Sequence, residues 1–168
     1  MYYNYTPFEL EKWIEVFYKN IGITRPDDID EQKIASALGI SLDYSDRRSF
    51  SYEDRYDKLI NINNMLPKRI QRERFFHELG HILRHAGSQL IMPKSFIELQ
   101  EFDSKRFTKY SALPYSMIFR YDLESNNISG QLAHDFGVSK ELCVERVDNV
   151  RNKIFSKMIL VMESNITY

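Results

Sequence analysis

An α+β fold is what this sequence predicts: a small sheet packed on one long amphipathic helix, with a mostly helical remainder. Three observations carry that expectation. Apolar residues recur at helical spacing, most clearly at Ile70, Phe75, Phe76, Leu79, Ile82, Leu83 and Ala86. Only two short runs, Ile40 to Tyr44 and Lys58 to Asn63, have the character of strands. Proline and glycine stand at the ends of the long helix, Pro67 before it and Gly87 after it.

The elements follow in order. Thr6, Pro7 and Glu9 supply an N-cap, a first-turn proline and a capping-box acid for a helix whose apolar stripe is Phe8, Leu10, Trp13, Ile14, Phe17 and Tyr18. A second helix starts at Asp28 or Asp30 and stops at Gly39. The two strands come next, joined by a polar connection rich in Arg, Asp and Ser. The free edge of a strand running beside the long helix either pairs with an extended peptide or merely packs, and the residues do not choose between the two. After the long helix and a Gly-Ser-Gln break, Ser95 to Tyr110 reads as a helix ending before Pro114. Two more helices span Ile128 to Ile154, separated at Gly137 and Val138, and Phe155 to Tyr168 carries no assignment.

At 168 residues the chain is long enough to bury a real core, and the aromatic share of 14% provides for one. A formal net charge of -1 excludes a global basic field for nucleic acid or an anionic membrane. The single Cys143 cannot close an internal disulfide and reads as a small core residue. The first eight residues show no basic segment followed by an apolar run, and no stretch approaches ~20 apolar residues. A soluble cytoplasmic protein is expected.

The chemistry lies on the long helix. His77 and His81 are one turn apart on the same face, so both imidazoles can reach one metal ion at ~2.0 to 2.1 Å. Glu78 sits beside the first of them. This is the HExxH arrangement, in which two histidines hold zinc and the glutamate is the general base for a water. The bland alternative is that both histidines are satisfied helix-face residues. A catalytic site needs a third protein ligand. His85 continues the spacing, but eight residues of helix rise ~12 Å, too far for His77 and His85 to share an ion with His81. Its place is at the helix C-terminus or the rim of the site. His134 reads as a surface or packing histidine. The remaining candidates are Glu98, Glu101 and Asp103.

The run from Leu59 to Asn63, then Arg72 to His85, then Glu101, Phe107, Leu113 and Pro114 resembles the ImmA/IrrE family of metallo-endopeptidases. That family has a strand ending in Asn, an aromatic just before HELGH, and a downstream Glu followed at set intervals by Ala, Phe-Ala and Pro. Starting from Glu101, Ser104, Phe107, Thr108 and Pro114 fall at those intervals. The resemblance implies that Glu101 is the third metal ligand beside His77 and His81, with Glu98 as the fallback, Glu78 as the catalytic base and Zn(2+) as the default ion. Ser104 and Thr108 replace the family's alanines and remain small enough for two helices to approach. An oxyanion donor is expected among Tyr110, Tyr115 and His85. Stand-alone members act on helix-turn-helix repressors of prophages and mobile elements, whereas larger relatives carry a sensor domain for which this length leaves no room. The implied partner is therefore a protein substrate, a transcriptional repressor.

Residues 1–125 are assigned to the metallopeptidase core and 126–168 to a helical subdomain. Within the latter, Gln131 to Arg151 resembles a helix-turn-helix, with an LAxxFGVS-like stretch and an internal Arg. Direct DNA binding is thus a competing reading, opposed by Glu141, Glu145 and Asp148 and by a packing stripe of Cys143, Val147, Val150 and Ile154. A third reading is an antirepressor acting by binding without proteolysis. Lys68, Arg69, Arg72 and Arg74 form a basic cluster that either meets an acidic partner or is a solvated helix face.

Overall fold

The structure, a computed structural model, describes residues 5–84 and 93–166, with 163–166 as backbone only. Helices α1 (Glu9–Asn20) and α2 (Glu31–Ala37) precede strands β1 (Ser41–Ser45), β2 (Phe50–Glu53) and β3 (Lys58–Asn63). Then come α3 (Lys68–Arg84), α4 (Lys94–Ala112), α5 (Tyr115–Ile118), α6 (Ile128–Asp135) and α7 (Lys140–Ile166). The arrangement is α+β, as the sequence leads one to expect. Gly87 and His85 lie outside the described residues.

α1 begins later than its sequence suggests. Phe8 occupies the cap position and its N–H donates to Glu11 Oε2 at 2.8 Å, so Glu11, three residues on, is the capping acid in place of Glu9. Thr6 instead accepts a hydrogen bond on Oγ1 from Lys157 Nζ at 2.8 Å. α2 starts as expected: Asp30 Oδ1 accepts from the Lys33 N–H at 2.6 Å, and Gly39, at φ 67°, turns the chain out of the helix.

The sheet order is β1-β3-β2, with β1 parallel and β2 antiparallel to β3. β3 is therefore the central strand, and the peptide-pairing edge expected of it belongs to its neighbours. β2 went unread in the sequence for a physical reason. Its residues Phe50, Ser51, Tyr52 and Glu53 bury little, so they leave no apolar run or alternation. Ile60 and Ile62 of β3 and Phe75, Phe76 and Leu79 of α3 are buried in one apolar core where the helix packs on the strand, and this apolar layer fixes the rotation of α3.

α4 packs on the opposite flank of α3. A Cβ at Gly80 would lie 3.3 Å from both Ser104 Cα and Phe107 Cβ, so the missing side chain sets how closely the two helices cross. Ser104 and Thr108 are buried at this crossing, and Thr108 Oγ1 donates to Ser104 O at 2.8 Å. Their hydroxyls are accommodated without pushing the helices apart.

Two polar clamps hold the C-terminal helices. Arg72 donates to Glu31 Oε1 (2.7 Å), Ile29 O (3.2 Å) and Phe136 O (2.5 Å), joining α2, α3 and the turn after α6. Arg72 thus leaves the basic cluster read from the sequence. In that turn Gly137 has φ 63° and lies against the same guanidinium. The second clamp is Arg146 of α7, 1% exposed, whose Nη2 lies 2.6 Å from Glu11 Oε1 of α1 and whose Nε donates to Leu113 O at 3.1 Å. The internal Arg of the helix-turn-helix-like stretch is therefore a core residue, turned away from any DNA. Glu141, Glu145 and Asp148 occupy the exposed face of α7, while Cys143, Val147 and Val150 are buried. Burial pushes the Cys143 thiol up to about 12, so it is an inert core residue as expected. α7 continues as one helix to Ile166, across the described part of the stretch that carried no assignment.

Candidate metal centre

Helical spacing brings the imidazoles of α3 together and α4 brings a carboxylate to them. His77 Nε2 and His81 Nε2 are 3.1 Å apart. Glu101 Oε2 is 3.3 Å from the first and Oε1 3.3 Å from the second. These donors fit a metal. A tetrahedral ion with bonds of ~2.0 to 2.1 Å sets its ligand atoms ~3.3 to 3.4 Å apart, close to the separation of the two imidazole nitrogens and to the distance at which one carboxylate oxygen approaches each ring. Burial and the neighbouring His81 push His77 down to about 4, so its ring is neutral at physiological pH and keeps a lone pair for a cation. Among the described residues, His77, His81 and Glu101 are the group of acidic and imidazole side chains placed to hold an ion.

Ser104 supplies a contact the sequence did not announce. Its Oγ lies 3.2 Å from His81 Nδ1, where it can accept the ring N–H and leave Nε2 facing the other donors. Its place three residues after Glu101 is the only sequence clue, and it reads equally well as packing. Ser104→Ala is expected to weaken zinc binding about tenfold with the fold intact, measured by competition with a chromophoric chelator; unchanged affinity would remove Ser104 from the site.

Glu78 is buried beside His77, and Ser51 of β2 donates Oγ–H to its Oε2 at 2.9 Å. Burial raises its pKa and the Ser51 hydroxyl opposes the rise. Neither β2 nor Ser51 was legible beforehand, because that edge strand has no apolar pattern. Ser51 is held in place by the ladder with β3, where it pairs with Ile60.

The other candidates go elsewhere. Glu98 is exposed and pairs with Lys94 at 3.8 Å, and Asp103 pairs with Arg84 and Arg106 on its own side of α4. His134 is exposed and contacts Asp135 through Nδ1 at 2.9 Å. Of the expected oxyanion donors, Tyr110 stacks on Phe8 and under the Arg146 guanidinium, and Tyr115 lies against Tyr5 and Phe119. Tyr110 belongs to the core between α1, α4 and α7, and Tyr115 is a half-buried residue of α5 held in that aromatic group. His85 lies outside the described residues.

An HExxH helix crossed by a second helix that offers a carboxylate, with a mixed sheet alongside, is the class of metallopeptidase-type centres. Residues 26–148 match the model of peptidase family M78, the IrrE N-terminal-like domain, and the chain belongs to that family. It is 35% identical over 143 residues to the phage-like element PBSX protein XkdA of Bacillus subtilis strain 168, covering 83% of this chain and 71% of that protein. It is 34% identical over 119 residues to the uncharacterized protein YqaB of the same organism, covering 71% of this chain and 69% of that protein. Among the described residues no helix is long and apolar enough to cross a membrane.

Proposed function

We propose that this protein is a zinc-dependent endopeptidase that cleaves a protein substrate in the cytoplasm, a helix-turn-helix repressor of a prophage or mobile element. The single observation behind the reaction is the spacing of His77, His81 and Glu101 around one point, with the Glu78 carboxylate next to them. Kinship with a phage-like element protein favours the repressor as substrate.

A bound divalent ion supplies Lewis acidity, lowering the pKa of water and polarising the scissile carbonyl. In this reading His77, His81 and Glu101 hold it. Glu78 takes the proton of the attacking water and passes it to the leaving amine. Ser51 keeps the Glu78 carboxylate turned toward the cleft. The free edge of β2, next to Glu78, pairs with an extended substrate segment, and residues 126–168 form a helical subdomain that docks the repressor.

The test is to incubate the purified protein with the repressor encoded beside its gene and follow fragments by mass spectrometry. We expect one defined cleavage, abolished by chelation and restored by stoichiometric zinc. An intact repressor with metal-loaded protein overturns the reading.

A further inference from the structure

Two cations at the rim of the centre have no structural task. Arg74 precedes His77 by three residues and Glu78 by four, so helical periodicity turns it toward the same cleft. Lys105 follows Glu101 by four, one turn along α4 on the ligand's side. Both are exposed, and neither has an ion-pair partner among the described residues. Their neighbours differ in this respect. Arg72 is bound to Glu31, Arg84 and Arg106 to Asp103, and Lys109 to Glu145.

The nearby acids are already committed, Glu78 to Ser51 and Glu101 to the two imidazoles. One turn before His77 and Glu78 on α3, and one turn after Glu101 on α4, the two exposed charges flank the site from both of its helices, near enough to be felt at His77. Exposed Arg69, by contrast, acts on Cys143, on another side of α3. An uncompensated guanidinium and an ammonium, one on each helix of the centre, make a receptor for a carboxylate: the guanidinium offers a planar fork and the ammonium a point charge.

We propose that Arg74 and Lys105 select substrates carrying a carboxylate beside the scissile bond, which gives the peptidase of the preceding section a preference for acidic sequence. That carboxylate is either an Asp or Glu side chain or a free chain end. This inference rests on the peptidase reading for the word substrate, and its test separates the two.

The probes are three fluorescent peptides of otherwise equal sequence: an amidated one with Asp flanking the central bond, an amidated one with Asn there, and the Asn peptide with a free C-terminus. Binding is measured by anisotropy on zinc-loaded Glu78→Gln protein, and cleavage with the unsubstituted protein. We expect a carboxylate-bearing peptide to bind about tenfold more tightly than the amidated Asn peptide at low salt, with the advantage fading as added salt shortens the screening length. Preference for the Asp peptide assigns a side chain, and preference for the free-acid peptide a chain end. In Arg74→Gln/Lys105→Gln protein, checked for folding by thermal melting, the ratio should fall to about one. In Arg74→Glu/Lys105→Glu protein it should invert toward a Lys-containing peptide. Equal binding of all three peptides, or a ratio indifferent to both double substitutions, overturns the inference. Selective binding without cleavage of any peptide sustains it while removing the peptidase reading.

Discussion

Glu78→Gln protein is expected to bind zinc at one ion per chain and to cleave the repressor at least about a thousandfold more slowly, the scale of a lost general base. The substitution is nearly isosteric and keeps an acceptor for the Ser51 hydroxyl, so the fold and the three donors should persist. What disappears is the group that can take a proton from water. His77→Ala is the complement: it removes a donor from the triangle, so metal content and cleavage should fall together. The pair separates two functions that share one centre. If Glu78→Gln protein still relieves repression in cells while cleaving nothing, the protein acts by binding. If it cleaves within tenfold of the unsubstituted rate, Glu78 is not the base. Metal content by elemental analysis and a cleavage time course decide between these outcomes.

What the sequence could say about this centre follows from how local each part is. His77, Glu78 and His81 lie within five residues on one amphipathic helix, so helical periodicity alone placed them together. Glu101 is twenty residues further on, on another helix. Sequence spacing offered Glu98, Glu101 and Asp103 on equal terms, and only the family resemblance chose among them. The crossing at Gly80 brings the chosen one to the imidazoles, while Asp103 turns to Arg84 and Arg106. Ser51 was out of reach because an edge strand that buries little has no hydrophobic period. Arg72 misled for the opposite reason. A basic residue in a basic run reads as solvated, and only the folded chain places Glu31 and two backbone carbonyls around it.

Separation in sequence also hid the interaction with the largest expected effect on stability. Arg146 and Glu11 are 135 residues apart, and each side chain is 1% exposed. Around them Tyr5 donates to Glu11 Oε1 at 2.5 Å, the Phe8 N–H to Oε2, and Arg146 Nε to Leu113 O at the end of α4. One ion pair therefore closes α1, α4 and α7 on each other. Arg146→Met should cost about 3 to 5 kcal/mol, because it leaves a buried carboxylate with only the longer, 3.9 Å contact to Lys153 Nζ in place of its close cation. For a chain of this size that is a fall in melting temperature of about 10 °C. Glu11→Leu should cost a similar amount by stranding the guanidinium. The double substitution Glu11→Leu/Arg146→Met should be more stable than either single one, since burying two apolar side chains avoids the desolvation both charges incur. Urea unfolding of the four proteins measures the coupling. A cost below about 1 kcal/mol for each single substitution would mean that apolar packing of Val147 and Val150 holds α7 in place without the pair. A recovered double mutant that still cleaves the repressor would show that the ion pair fixes the helix register without taking part in the chemistry at His77, His81 and Glu101.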